Sequence, residues 1–577
     1  MVSKVLQLFK KEYSSLHQTA ILLSVTQLVA LVLGLVRDRL FAGMVGAGPV
    51  LDVYYAAFKI PDIVFSTAAT LVSVSILIPY IQDLREADEG DTQKERGQVR
   101  TFIGRVLSWY GILIGMMSLV IFIFMPYIAK LIVPGFSPSM LESLVFQSRL
   151  LLISPCILGL SNIFSSVVQS YNRFFVYALA PVLYNVGIII GILFFYPTFG
   201  VMGLAFGVIL GACMHAVLQG ISVYQLGIMP KISFPKWRER KEIFTIIIKS
   251  LPRTFALAIA QITMLILTSF ASKLGSGSIS LFQFAYILQS VPLMLLGVSY
   301  SVAAFPRLVL LKKEGNMKEF INTFLVPVRS IIFWSLPIIS LVIVFRAYIV
   351  RIVFGANTFS WNDTKIVAAM LAVFSFSLLF QSLNQVLLRA YYALGESKKP
   401  LVRSVIDLIF TAGISYGILK SDAFLNKFGL LFTTFFKIPY SGKSLIIVLA
   451  CAFTLGQCIN FITLWVSFRK QYLRGLDLGL IDTVIQGIIG AGIGSFIAYG
   501  MLLNVGKFIQ GTTWISLVLN TVLAGTSSIF VMCVYWYFAK NPEFHATFNA
   551  ICSKFWKSSN TEKVSQGIEK TEIESSL

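Results

Sequence analysis

Residues 174–197 read FFVYALAPVLYNVGIIIGILFFYP, twenty-four positions without a Lys, Arg, Asp or Glu. As an α-helix this run is about 36 Å long, enough to cross a hydrocarbon core of about 30 Å. Only an arginine-bearing turn separates it from the apolar run before it, and a short Thr-Phe-Gly turn leads into the next. Working outward in both directions gives about fourteen such runs: 18–43, 50–81, 101–133, 146–170, 174–197, 200–226, 244–272, 278–308, 324–351, 364–393, 400–419, 444–468, 478–505 and 511–538. Pro61 and Pro79 interrupt the second of these and predict kinks there. The fold class is therefore an all-α polytopic membrane protein.

Composition agrees. The chain has 577 residues, 56% hydrophobic and 13% charged, with a mean hydropathy of +0.81. Soluble domains carry roughly 25% charged residues. A chain this long and this poor in charge cannot coat itself with a water-facing surface, so its solvent is lipid. The net charge of +21 would suggest nucleic acid in a soluble protein. Here the bases sit in short segments between apolar runs, which is a topology signal and excludes nucleic acid as the expected partner.

The loops give an orientation. With the N-terminus cytoplasmic, inner loops hold Arg85, Lys94, Arg96 and Arg100, then Arg173, then Lys231 to Lys241, Arg307 to Lys318, Lys398 to Arg403, and Arg469 to Arg474. Outer loops near 45, 140 and 198 hold no Lys or Arg, and the one near 275 holds only Lys273. This alternation predicts both termini in the cytoplasm. One outer segment departs from it: 420–443 carries Lys420, Lys427, Lys437 and Lys443 among Phe428, Phe432, Phe435 and Phe436, and reads either as an outward insertion with interfacial aromatics or as a miscount.

A faint internal repeat relates the two halves. VVQSYNR (Val167 to Arg173) is followed by Pro181, and VLLRAYY (Val386 to Tyr392) by Pro400, each proline fourteen residues after the starting valine. The offset is six helices, as in transporters built from parallel repeats. The expected organisation is an interfacial amphipathic segment (1–17), a first six-helix lobe (18–226), a basic linker (227–243), a second lobe (244–468), two further helices (469–538) and a largely disordered cytoplasmic tail (539–577). The first apolar run exceeds a signal-peptide core and is read as a retained span.

Several charges fall inside these runs, where each costs about 2.5–3.5 kcal/mol at mid-membrane. Arg105, Arg253 and Arg389 lie toward inner ends and can snorkel. Arg37 and Asp38 in the first run, and Asp52, Lys59 and Asp62 in the second, are concentrated in two consecutive helices. They either line a wet cavity or neutralise one another. Asp52 and Lys59, seven apart, share a helix face. Asp407 stands in the eleventh run near Ser404, Thr411 and Ser415. A carboxylate with hydroxyls at i,i+4 spacing can hold a sodium ion or a proton, or be a buried acid that is protonated or paired with Arg403.

No enzymatic constellation accompanies them, so the chain is not read as an enzyme. There is no GxxxxGK[ST] loop, no HExxH, no GxSxG, and no paired-carboxylate loop suited to magnesium. The six cysteines form no CxxC, and His17, His215 and His545 are scattered, so no cofactor is expected.

Several stretches resemble one family. LGLVRD (Leu33 to Asp38), VGAG (Val45 to Gly48), Asp52, AFKIP (Ala57 to Pro61) and Ile78-Pro79 resemble the first two helices of the lipid II flippases (MurJ, or MviN) of the multidrug/oligosaccharidyl-lipid/polysaccharide exporter superfamily. VPGF (Val133 to Phe136), YNRF (Tyr171 to Phe174) with Ala180, Pro181 and Asn185, SGSIS (Ser276 to Ser280) with LGV (Leu296 to Val298) and Pro306, and RAYYALG (Arg389 to Gly395) with Pro400 continue the match in chain order.

The resemblance implies two six-helix lobes around a central cavity, a groove for a polyprenyl tail at the last two helices, and a monomer in a bacterial cytoplasmic membrane. Its substrate would be an undecaprenyl-pyrophosphate-linked peptidoglycan precursor. The resemblance implies the membrane potential as driver; apart from it, the spacing around Asp407 makes that residue the candidate for a coupling Na+ or H+. Substrate contact falls to Arg37, with Asp38, Asp52 and Lys59 around it. Where the family has further arginines this chain has Leu31, Phe65 or Ser66, and Ile287, and Thr70 stands at a usually acidic place. The departures keep two other readings open: an exporter of another lipid-linked glycan or small molecule in the same superfamily, and a non-transporting membrane scaffold.

Overall fold

The computed structural model describes residues 16–71, 74–86, 92–231, 233, 240–356, 358–396, 398–475, 478–508, 513–549 and 552. The predicted interfacial segment falls almost wholly outside these residues, and so does the tail from 553. Every described element is helical or a turn; no strand occurs among the described residues.

Helix occupies each of the fourteen predicted stretches. In chain order these are α1 (Leu16–Leu40), α2 (Pro49–Leu71), α3 (Val74–Glu86), α4 (Thr92–Ile132), α5 (Pro138–Ser170), α6 (Phe174–Phe199), α7 (Val201–Gln225), α8 (Arg240–Ser272) and α9 (Ser278–Lys313). They continue with α10 (Met317–Phe354), α11 (Trp361–Ala393), α12 (Lys398–Lys420), α13 (Asp422–Phe436), α14 (Lys443–Tyr472), α15 (Leu480–Phe508) and α16 (Trp514–Phe538). Eleven of them are long and apolar enough to cross a membrane by length and composition. The run predicted at 50–81 is two helices, α2 with Pro61 inside it and α3 with Pro79 inside it. A bilayer forces this uniformity, because every backbone N–H and C=O in hydrocarbon must be paired within its own segment.

Local chemistry sets the helix ends. Ser137 caps α5 through its hydroxyl, with Pro138 at the first helical position. Thr513 does the same for α16. α1 does not stop cleanly: Phe41–Val45 form a π turn, closed by a Gly46 N–H to Phe41 C=O bond of 2.9 Å. Gly46 has φ +75°, a conformation that favours glycine.

The packing divides the chain into two units. One comprises residues up to 288 with 349–374 and 395–464. Its tightest contact joins α6 to α7. A Cβ added at Gly187 would lie 2.3 Å from the Gly211 Cα, and one at Gly191 would lie 2.4 Å from the Gly207 Cα. This is a small-xxx-small seam in which hydrogen alone fits. Around it α1 packs on α6, and α8 packs on both α2 and α12. Val64, Ile81, Ile103, Phe164, Val167 and Val223 form a core from α2, α3, α4, α5 and α7. α4 turns the large side chains Met116, Leu119, Ile123, Phe124 and Leu131 outward, a face suited to lipid rather than water.

The second unit comprises 289–348, 375–394 and the residues from 465 onward. In it α15 and α16 pair along their length, with Trp536 tilted against Phe333 of α10 (centroids 4.6 Å apart) and bonded to the Gln486 carbonyl at 3.3 Å. Gly490 and Gly494 admit the Trp536 and Met532 side chains, since a Cβ on either would fall within 2.4 Å of them. Outside this seam, Ile481, Ile488, Phe496, Leu519, Phe530 and Phe538 are exposed.

Candidate functional site

Arg37 and Asp38 are neighbours in sequence, and consecutive side chains on a helix point about 100° apart. The arginine stem bends back to meet the carboxylate. Its Nε donates to Asp38 Oδ1 at 2.9 Å and its Nη2 to Oδ2 at 3.2 Å, a bidentate fork. Nη1 donates to Asn185 Oδ1 of α6 at 3.0 Å. Asn185 is oriented in turn by its amide, which donates to the Ala30 and Pro181 carbonyls at 3.4 and 3.2 Å. Asp38 is 2% exposed and Arg37 24%. The pair is therefore buried on its acidic side and open on its basic side.

Aromatic rings enclose this cluster. Tyr54 packs on Phe41 (4.8 Å between centroids) and edge-on against Tyr55 (5.6 Å). Both tyrosines are electrostatic neighbours of Arg37 and Asp38. The Tyr55 hydroxyl is buried with no hydrogen-bond partner among the described residues. Tyr184 of α6 lies within reach of both Arg37 and Asp62.

Asp52 has a different role from the one its spacing suggests. It shares a face of α2 with Tyr55, Lys59 and Asp62, but seven residues along a helix separate it from Lys59 by about 10 Å. Its oxygens are taken elsewhere. Oδ2 accepts the Gly277 N–H at 2.5 Å, and Oδ1 accepts the Ser280 N–H at 2.8 Å and hydroxyl at 2.6 Å. Asp52 thus caps the N-terminus of α9 from another helix, supplying the acceptor that orphan N–H groups need. It neutralises neither Lys59 nor the Arg37 pair. Lys59, partly exposed, has Asp62 as its acidic neighbour one turn on, and Asp62 is exposed.

Other bases serve as fastenings. Arg39 donates to the Ile352 and Val353 carbonyls at 2.5 and 3.3 Å, at the end of α10 where the helix dipole favours a cation. Arg173 is 8% exposed and reaches Ser222 and Gln225 of α7 at 3.4 Å. In the same turn Arg85 pairs with Glu95 (3.1 Å) and lies over the Tyr171 ring (4.2 Å), while Tyr171 donates to Glu95 at 2.8 Å. Burial, and then the Glu95 carboxylate, push the Tyr171 phenol above its ordinary pKa. Sequence reading counted Arg85 only as a topology signal, and Arg173 as that and as part of the repeat and motif turn. Arg389, read as snorkelling, bonds Ser301 at 3.0 Å. Arg105 is not without a partner, and the Arg253 side chain is outside the described residues.

Asp407 is 7% exposed at the packed seam of α12 and α14. Thr411 donates to its Oδ1 at 3.3 Å, as the i,i+4 spacing predicts, and Gln457 of α14 donates to its Oδ2 at 3.0 Å. Ser415 bonds back to the Thr411 carbonyl at 2.7 Å. Gly456 makes room for the group, since a Cβ there would fall 1.9 Å from the Thr411 hydroxyl. No set of three His, Cys, Asp or Glu side chains gathers anywhere among the described residues.

Apolar faces turned outward, with ionisable groups held on aromatic, amide and backbone partners, define a multi-pass helical membrane protein. Residues 41–425 match the family model described as Lipid II flippase MurJ, and the chain belongs to that family. It is 25% identical over 525 residues to the probable lipid II flippase MurJ of Buchnera aphidicola subsp. Schizaphis graminum, covering 90% of this chain and 96% of the relative. To the Haemophilus influenzae protein of the same description it is 28% identical over 406 residues, 67% of this chain and 78% of that one. Among solved structures it resembles "Lipid II flippase MurJ, inward closed conformation" with a TM-score of 0.67 at 19% identity, covering 90% of this chain and all of that one. An inward-facing multidrug resistance MATE transporter matches at 0.58 and 15% identity, over 79% of this chain and all of that one. These likenesses carry the fold.

Asn185 and Tyr55 are the site residues that sequence reading did not place. Asn185 was visible only as part of the Pro181 motif, and nothing in the sequence marks the unpaired Tyr55 hydroxyl.

Proposed function

We propose that this chain is a flippase that carries lipid II, the lipid-linked peptidoglycan precursor, from the inner to the outer leaflet of a bacterial cytoplasmic membrane. It acts by alternating access, without covalent chemistry, through about fourteen spans with both termini cytoplasmic. Membership of the family supports the activity. The outward-facing Val25, Leu28, Val32 and Val36 of α1 support counting α1 among the spans beyond the eleven.

The observation that carries the reading is the state of Arg37. Of the five N–H donors of a guanidinium, three are used: Nε and one from each Nη. Two remain unused, and Tyr55, whose buried hydroxyl has no partner among the described residues, is an electrostatic neighbour of the pair. A pyrophosphate is a dense acceptor of planar, charge-assisted hydrogen bonds. Asp38 balances the guanidinium while the site is empty, so the site does not hold an uncompensated cation in lipid. Lys59 and Asp62, about a turn beyond Tyr55 on the same face, extend the polar track.

Depleting the protein in cells that lack another flippase should lower the lipid II exposed at the outer leaflet, and unchanged exposure would overturn the reading. Arg37→Lys keeps a cation against Asp38 and should leave the protein folded, yet restore little exposure, because an ammonium lacks the planar fork. Full activity of a stable Arg37→Lys protein would remove Arg37 from substrate contact. Replacing 553–577 with an unrelated linker should leave exposure intact, whereas a scaffold acting through its tail would fail.

A further inference from the structure

The segment between α12 and α14 is absorbed by none of this. Ser421 caps α13, its hydroxyl accepting the Phe424 N–H, and Lys437 ends it in the left-handed conformation, φ +55°. Fifteen residues make a helix of about 22 Å, too short to cross the hydrocarbon core. One side of α13 rests on its own unit. Gly429 lies against Leu445, Thr433 is buried, and the Tyr440 hydroxyl donates to Asn426 at 2.5 Å. Just beyond, Lys443 donates to the Ala47 carbonyl at 3.4 Å, beside the Gly277 that Asp52 caps.

A second side is the more exposed one among the described residues. Phe424, Phe428, Leu431 and Phe435 follow i, i+4, i+7, i+11 spacing and make one stripe, with exposures of 44, 37, 61 and 76%. Lys427 falls at the edge of this stripe on the helix wheel, and Lys420 ends α12 just before the extended Ser421 cap of α13. The exposed side of α12, with Val405, Ile409 and Tyr416, leads up to it, and the Lys420 ammonium lies 5.7 Å from the Tyr416 ring.

We propose that α13 is an in-plane membrane helix whose Phe424–Phe428–Leu431–Phe435 stripe enters the acyl layer while Lys420 and Lys427 engage anionic phospholipid headgroups. Three features select lipid over a protein partner. The stripe continues an apolar face that spanning helices already turn outward. The bases sit where snorkelling ammonium groups sit in interfacial helices. The helix is too short to span. Anchored through Tyr440 and Lys443, it ties the membrane surface to the turn after α1. The inference stands independently of the transport reading.

The test uses the full chain in nanodiscs, cysteine-free apart from one spin label at Leu431→Cys or Asn426→Cys. In phosphatidylglycerol-containing discs, relaxation of the Leu431 label should be enhanced more by oxygen than by a water-soluble nickel chelate, with the order reversed at Asn426. A Leu431 label as open to nickel as the Asn426 label overturns the proposal. A label shielded from both reagents also overturns it, and points to a second copy or another protein on the stripe. Lys420→Gln with Lys427→Gln should make the Leu431 label shallower in anionic discs and leave it unchanged in phosphatidylcholine discs; no change in anionic discs removes the headgroup role. Should cysteine removal harm folding, hydrogen exchange on the unaltered protein reads the same point. Amides of 424–436 should exchange severalfold more slowly in anionic than in phosphatidylcholine discs, and equal rates refute the headgroup claim.

Discussion

Asp38 and Asp407 are both carboxyl groups buried in apolar helices of one unit, and the protein satisfies them in opposite ways. Asp38 receives a full counter-charge from the adjacent residue and leaves that counter-charge partly open. Asp407 receives one hydroxyl and one amide, both neutral, in a seam closed by Gly456. Asp52 stands between them, bound to N–H groups that carry the partial positive charge of a helix start. A charged partner with spare donors suits a site that must exchange partners, whereas neutral donors with none to spare suit a joint.

The largest effect should come from breaking the charged pair. Arg37→Ala leaves Asp38 buried without its cation and should cost about 3–5 kcal/mol, read as a marked fall in melting temperature in detergent. Arg37→Ala with Asp38→Ala should recover most of that loss. A double-variant loss equal to the sum of the Arg37→Ala and Asp38→Ala losses would show that the pair is not coupled. Asp52→Ala comes next, since it strands the Gly277 and Ser280 donors, at about 1–3 kcal/mol. Adding Ser280→Ala to that variant should change little, because the hydroxyl has already lost its acceptor. Asp407→Asn should be smallest. The amide can rotate its oxygen toward Thr411 or Gln457, so stability should hold within about 1 kcal/mol, and lipid II exposure should persist independently of sodium. A large loss there, or a sodium requirement that disappears with the substitution, would move Asp407 from joint to ion site.

The helices were legible because lipid leaves the chain little choice: an apolar run of sufficient length becomes helix, and most of the predicted ends fall within several residues of the observed ones. α5 begins eight residues earlier than predicted, because Ser137 and Pro138 start it before the apolar run does. The Asp407–Thr411 contact was legible because it is local, four residues along one helix. The Arg37–Asp38 contact was legible as adjacency, although not as a bent-back fork. What escaped is non-local. Asp52 finds its donors 225 and 228 residues away, and no periodicity encodes that. Asp52 and Lys59 share a helix face, but a shared face fixes direction and not height. Asn185, 148 residues from Arg37, was visible only as a motif residue.

The glycine seam between α6 and α7 has a mechanical consequence. Gly187 and Gly191 meet Gly211 and Gly207 with backbone against backbone, with no side chains between them to slide or change rotamer. Two helices joined in this way behave as a single beam, because a shift of even an ångström along the seam drives main chain into main chain. Asn185 sits on that beam, so any movement of the two helices carries it and its bond to Arg37 along, and the give must come from joints with softer contents than hydrogen against hydrogen.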